Sequence, residues 1–574
     1  MTAELKDDLS ISHNGSTSSS VDGIEVQPQA ETRPAFQNDN NDKSTAEYAE
    51  DVGAEIEVWE TDENGNKYKK KLDGILHKDG RRELRLRNCY DKTGYAFSTW
   101  TKWRILAVIF ICQVSMNFNA GFYPDALELI AEAHNVSVPK ARVSQMLMMV
   151  AYAFGCELWA PWSEELGRWW VMQLSLFFVN IWQILGGLAP NFGAVCVARF
   201  LTGLFSAGGS VTLAIVADMW DSVDQGFAVL FVVGSSVGGS AFAPIWGGIL
   251  HDNLKWYWTF WIQLIIGGFA ELLHLLFVPE TRTSILIDRE AKRRRKSGED
   301  DNIWGPTEIH GHDFSIGHIL KIWARPFEMY LFEPIVLCLS LLSGFSDALI
   351  FIFMQGFGPV YTKYGFGNTA TGLIFVAIMI SYIIAYALHF IDVWRQIIVL
   401  KREGDAARLA ERRLLLLLFL APLEPIGLFI FGWTSLGPEK GIPWIAPTLG
   451  ATCVGVANFS IYMATIDYMI MAYGPYSASA TGGNGFSRDF LAGISIHFAA
   501  PMYTNIGDDP LKQAWASTIL GIIGIIVVIP IFVFYWKGPY IRRKSRFAQT
   551  LAADRQVEMM NLDDLYPENE KNDP

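Results

Sequence analysis

Beyond residue 102 the chain is a succession of twelve apolar runs, each long enough to cross about 30 Å of hydrocarbon as a helix. They cover residues 103–123, 143–161, 170–189, 194–217, 227–250 and 256–278, then 334–360, 371–391, 413–434, 443–467, 480–503 and 514–536. The apolar residues are continuous rather than striped along one helical face, which suits a bilayer better than a soluble core. The pattern specifies an all-α polytopic membrane protein with two groups of six spans. Hydrophilic stretches divide it into a tail at 1–102, a bundle at 103–278, a central loop at 279–333, a bundle at 334–536 and a tail at 537–574.

Charge tells where each segment sits. Only 18% of the 574 residues are charged, against about 25% in soluble proteins, yet 46 basic and 59 acidic residues leave a net charge of −13. An acidic chain is a poor nucleic-acid binder. The net negative charge lies in residues 1 to 55 and in a C-terminal stretch with Asp563, Asp564, Glu568 and Glu570, both read as flexible tails. Residues 58–87 carry a weak hairpin signal around Asn64-Gly65. The N-terminus lacks the basic-then-apolar order of a signal peptide, so insertion is expected to start at the first span. Cations cluster at Lys69–Lys71, Arg81–Arg87, Arg293–Lys296, Arg402–Arg413 and Arg542–Lys544, and are sparse in the alternate loops. Both termini and the central loop are therefore expected in the cytosol. Asn135-Val136-Ser137 then falls in an outer loop as an N-glycosylation acceptor.

Several chemistries are disfavoured. Cys112, Cys156, Cys196, Cys338 and Cys453 lie in apolar runs and Cys89 in a basic stretch, with no CxxC pair or metal-ligand cluster among them. His274, His389 and His497 stand alone in their spans, so a metal site or an intramembrane acyltransferase is not supported. No phosphate-binding G-x-x-x-x-G-K-[ST] loop is present, which argues against transport driven by ATP.

The loop between the second and third spans reads Ala160-Pro-Trp-Ser-Glu164-Glu165-Leu-Gly167-Arg168-Trp-Trp. Such a tight turn needs its glycine, and Glu164 and Arg168, with Asp218 at the end of the fourth span, supply an ionic latch between helix ends. The segment resembles the loop signature of the major facilitator superfamily, in the form found among fungal multidrug and polyamine transporters. Glu164 takes the aspartate position, Gly167 the glycine and Arg168 the arginine, while Glu165 and Trp169 stand where basic residues are usual. In the fourth span Arg199-Phe-Leu-Thr-Gly203 resembles the family's R-x-x-x-G signature, whose arginine is implicated in proton transfer; snorkelling to the interface is the alternative. In the fifth, Gly239-Ser-Ala-Phe-Ala243-Pro244-Ile-Trp-Gly247-Gly248 resembles the antiporter signature G-x-x-x-G-P-x-x-G-G. Ser235, Gly239, Ala243 and Gly247 form one small-residue face, expected to seal the two halves together, and Pro244 breaks the backbone ladder there. The resemblance implies the major facilitator fold, two six-helix bundles, and a twelve-span drug:proton antiporter.

Intramembrane carboxylates are the coupling candidates: Asp347 mid-span in the seventh run and Glu157 in the second, with Glu271, Glu424 and Asp467 as further acids. Asp467 and Arg488, near the same ends of the tenth and eleventh spans, are expected to form an ion pair. Aromatic residues such as Phe345, Phe351, Phe353, Tyr382 and Tyr386 suit an apolar cavity for hydrophobic or cationic solutes. The favoured reading is a monomeric proton-coupled exporter of drugs, toxins, secondary metabolites or polyamines, with no cofactor, in the plasma membrane or alternatively the vacuolar one. The competing readings are a proton-coupled uptake symporter and a transporter-like nutrient sensor.

Overall fold

The computed structural model describes residues 80–206, 208–220, 225–310, 316–403, 410–473, 476–545 and 547, with the short stretches 24–25, 56–61, 67–72 and 75–77. Most of both acidic tails and the Asn64-Gly65 turn lie outside the described residues. The chain divides into two compact units, residues 97–282 with 314–574, and residues 1–96 with 283–313.

The larger unit is helical. Its first half holds α1 (Thr99–Phe122), α2 (Leu127–Ala133), α3 (Val138–Glu165), α4 (Arg168–Gly187), α5 (Phe192–Phe205), α6 (Gly208–Ala217), α7 (Gln225–Asn253) and α8 (Trp258–Phe277). After α9 (Thr283–Ser297) and α10 (Pro306–His310) of the smaller unit comes α11 (Ile316–Phe332). The second half then holds α12 (Pro334–Tyr361), α13 (Asn368–Leu373), α14 (Phe375–Glu403), α15 (Leu415–Leu420), α16 (Leu423–Thr434), α17 (Ile445–Tyr473), α18 (Ser477–Asn505) and α19 (Lys512–Lys544). Within the halves α1 packs on α7, α3 on α5, α12 on α18 and α16 on α17; between them α3 meets α18, and α7 meets α13 and α14.

Among the described residues, ten helical stretches are long and apolar enough to cross a membrane. The fourth and eleventh of the expected spans differ. The fourth breaks where Ser206 leaves helical geometry (φ −79°, ψ 107°), so α5 ends after 14 residues and α6 resumes at Gly208. Ser206 donates its hydroxyl to the Thr202 carbonyl at 2.7 Å, a side-chain bond that suits a helix end. The eleventh, α18, is long enough at 29 residues but buries Asn484, Ser487, Arg488 and Asp489, which lower its apolar character.

The smaller unit joins two segments that are expected to be separate. β1 (Ile56–Thr61) and β2 (Lys67–Leu72) pair antiparallel, as the hairpin signal predicts. Ile75–Leu76 pairs antiparallel with Arg82–Glu83, which pairs in parallel with Ile303–Trp304 from the central loop. Leu84 and Cys89 share a small core with Ile287, Ala291 and Ile303. The stretch before the first span therefore folds with the linker instead of forming a tail of its own; a few apolar residues on each side are too sparse to signal a core until they meet. The basic run is neutralised locally. Arg293 and Arg294 bind Glu290 at 2.8 and 2.9 Å, and Arg295 binds Glu308 at 2.7 Å while lying over the Trp304 ring. The Arg293 hydrogen bonds, then those of Arg294, hold the Glu290 carboxyl down at about 2.

Candidate functional site

Gly167 adopts φ +98°, a left-handed conformation that ends α3 and starts α4 within one residue. A side chain there would strike the Glu280 carboxylate. Glu280 reaches back from the end of α8 and accepts the backbone N–H groups of Arg168 (3.0 Å) and Trp169 (3.3 Å), capping α4, and those of Thr281 and Arg282 at 2.9 Å. Arg168 donates Nε to Asp218 at 2.8 Å and Nη1 to Ser163 at 2.5 Å, and Arg282 approaches Asp218 at 3.7 Å. The latch thus brings Arg168 to Asp218, with Glu280 capping the turn, while Glu164 lines the adjoining cavity. Sequence reasoning missed Glu280, although its place in Pro279-Glu-Thr-Arg282 at a span end marks it.

The small-residue face of α7 does a different job from the one expected. A Cβ added at Gly239 would meet Val114 and Asn117, Ala243 approaches Gly121, and one at Gly247 would strike Asp125, all on α1 or the turn after it. That face therefore packs α7 onto α1 inside one half. The seal between halves lies about a quarter-turn round the helix. There a Cβ on Gly372 would crowd the Pro244 carbonyl, one on Gly248 would crowd the Asn368 carbonyl, and Asp252 accepts from Thr369 Oγ1 (2.5 Å), Thr369 N (3.1 Å) and Asn368 Nδ2 (3.1 Å). Asp252 fastens α7 to the start of α13, a cross-half clasp at the end of the bundle opposite the latch. Asn135, in a positive-φ turn (52°), is exposed between α2 and α3.

Arg199 does not snorkel. It is 1% exposed, donates Nη1 to Asn119 Oδ1 at 2.6 Å and lies over the Tyr123 ring at 4.0 Å. Among the described residues no carboxylate stands within ion-pair distance of it, and its Nε has no hydrogen-bond partner.

A cavity of about 250 Å³ runs between the halves from the latch residues Arg168 and Asp218 to Glu157 on α3 and Tyr462, Arg488 and Asp489 on α17 and α18. Arg488 is its organising charge. It is buried, lies over the Tyr462 ring at 4.2 Å, and has Asp489 at 3.4 Å and Asp347 at 4.0 Å. One oxygen of Glu157 and one of Asp489 have no hydrogen-bond partner. Gly482 makes room for Glu157, since a Cβ there would sit 2.8 Å from its Oε2. The structure thus brings Asp347 to Arg488, sets Glu157 in the lining of the same cavity as Arg488, and leaves Arg199 apart from that lining. The expected Asp467–Arg488 pair does not form. Arg413, at the start of the ninth span, takes both oxygens of Asp467 at 2.5 Å, leaving Arg488 to Asp489 and Asp347. Asp489 and Tyr462 were missed; the adjacent charges Arg488-Asp489 inside an apolar run were the available signal. Glu271 is held by Asn180 (2.7 Å) and Gln173 (3.3 Å), a structural use. Among the described residues no cluster of three or more His, Cys, Asp or Glu could hold a metal ion.

Two packed helical halves around a cavity, latched at one end and clasped at the other, belong here to a membrane transporter rather than an enzyme. The chain belongs to the Major Facilitator Superfamily, whose model matches residues 107–496. It is 30% identical over 452 residues to the MFS-type transporter acdC of Aspergillus candidus, covering 78% of this chain and 86% of that one. It is 32% identical over 406 residues to the transporter paaT of Penicillium rubens (70% and 72% covered). The multidrug transporter FLU1 of Candida albicans is 29% identical over 462 residues (79% and 74% covered). A solved structure of the proton:xylose symporter XylE superposes with TM-score 0.51 at 14% identity, over 77% of this chain and 96% of that one, a likeness of fold alone.

Proposed function

We propose that this protein is a proton-coupled exporter of small organic molecules in the plasma membrane, working as a monomer without a cofactor. The observation that carries the reading is the buried charge at the cavity, where Arg488 has Asp489 at 3.4 Å and Asp347 at 4.0 Å and a further acid, Glu157, lines the same cavity. The excess of acid beside the Tyr462 ring suits organic cations and amphiphiles, and the relative FLU1 is described as a multidrug transporter. A proton arriving on Asp347 or Glu157 removes a charge from the set holding Arg488 and competes with a cationic solute for the same acids. Parting of the Asp252–Thr369 clasp then exposes the site to the outside, and the latch side closes. With both termini in the cytosol this is export.

The test is efflux of a fluorescent lipophilic cation from a pump-deficient host, with and without a protonophore. Asp347→Asn and Arg199→Ala are expected to abolish gradient-driven efflux while the protein stays inserted. Gradient-dependent efflux at the wild-type rate by both variants rejects the assignment. Gradient-dependent accumulation inside the host identifies an uptake symporter instead.

A further inference from the structure

Glu424 is the carboxyl that the cavity does not use. It is 0% exposed in the first turn of α16, and neither of its oxygens has a hydrogen-bond partner among the described residues. No cation faces it. Of the helices packed around it, α12 carries Asp347, which faces Arg488; α17 carries Asp467, held by Arg413; and α19 carries Lys512, bound to Asp509, with Lys537 and Arg542 toward its other end. The polar group facing it is the Ser346 hydroxyl on α12.

That hydroxyl is the last member of an ordered chain. Tyr382 on α14 donates its hydroxyl to Asn458 Oδ1 at 2.9 Å, and Asn458 Nδ2 donates to Ser346 Oγ at 3.3 Å. Each donor points the same way, so Ser346 accepts within the chain and keeps its own hydrogen to donate, while Glu424 holds no hydrogen bond. All four side chains are at most 5% exposed. A negative charge on Glu424 would meet this donor chain and the N-terminal end of α16, where Pro422 and Pro425 interrupt the span and amide dipoles favour an anion. Complete burial favours the neutral acid. The opposing forces suit a group that gains and loses a proton as the half around it rearranges. Ser346, at the far end of the chain, is the sequence neighbour of Asp347 on α12.

We propose that Glu424 is a second proton-binding site, inside the C-terminal half, linked to Asp347 through Ser346, Asn458 and Tyr382. The proposal rests on the proton-coupled reading for its role in transport, but not for the protonation itself. Infrared difference spectroscopy of the full-length purified protein across a pH titration reads protonated carboxyl groups without any solute. Glu424→Gln is expected to remove one carboxyl C=O band, and Ser346→Ala and Tyr382→Phe to shift the titration midpoint of that band. A spectrum unchanged by Glu424→Gln overturns the proposal; should that variant not fold, an unshifted midpoint in both Ser346→Ala and Tyr382→Phe overturns it. In efflux assays Glu424→Gln is expected to lose at least about tenfold of gradient-driven transport while keeping gradient-free exchange. Full gradient-driven transport by this variant overturns the coupling role. If wild-type efflux itself ignores the protonophore, the proton-coupled reading falls, and the infrared band alone decides the site.

Discussion

At the scale of single residues, burial sets what each charge can do. Arg413 and Asp467 are 7% and 3% exposed and bonded at 2.5 Å, so neither tolerates loss of the other. Arg413→Ala is expected to destabilise the protein by about 3–5 kcal/mol, because it strands a buried carboxylate, whereas Arg413→Met with Asp467→Leu recovers most of that loss. Thermal unfolding of the purified variants measures both. Neighbouring glycines on α7 make a sharper contrast. A Cβ at Gly239 would lie 2.9 Å from both the Val114 carbonyl and the Asn117 side chain, whereas at Gly238 nothing stands within 4 Å. Gly239→Ala should cost about 1–3 kcal/mol by overpacking, and Gly238→Ala should be neutral or slightly stabilising through helix propensity. Asp347 and Glu157 were legible as functional acids because charge in an apolar run is costly wherever it points. The partner of Asp347 was not legible, since Arg488 reaches it from a helix more than a hundred residues away in the chain.

At the scale of elements, α7 shows that a motif can be visible while its partner is not. The spacing of Gly239, Ala243 and Gly247 does create a face for close approach, but that face meets α1. The adjacent residues Pro244, Gly248 and Asp252 meet the other half. A helix presents several faces about a hundred degrees apart, and one sequence does not say which neighbour takes which. The clasp predicts that Asp252→Ala or Thr369→Val loosens the end of the bundle opposite the latch. Gln355, which contacts Gln145 across the halves at 3.5 Å, reports on it. Labelling of a Gln355→Cys probe by a membrane-impermeant thiol reagent should speed up severalfold in the Asp252→Ala background. An unchanged rate counts against the clasp.

At the scale of the whole molecule, the smaller unit ties residues before the first span to the linker between the halves. Its Glu290 is held at about 2 against an ordinary value of 4.5, chiefly by Arg293 and then Arg294. The stability contributed by this depressed acid is complete above about pH 4.5 and is lost as pH falls toward about 2. Fluorescence of Trp304, stacked beneath Arg295, should follow that loss, and Glu290→Gln should remove the dependence. The span pattern, the latch turn and the acids worth testing were determined by sequence alone, because hydrocarbon length, glycine geometry and the cost of buried charge are local properties. Tertiary structure alone decided that Asp467 belongs to Arg413, that Arg488 stands beside Asp489 and Asp347, that α7 divides its faces between two partners, and that the N-terminal segment folds with the linker. Each of these is a pairing between distant segments, chosen by which side chains reach one another once the helices pack, and no single stretch of chain encodes that choice.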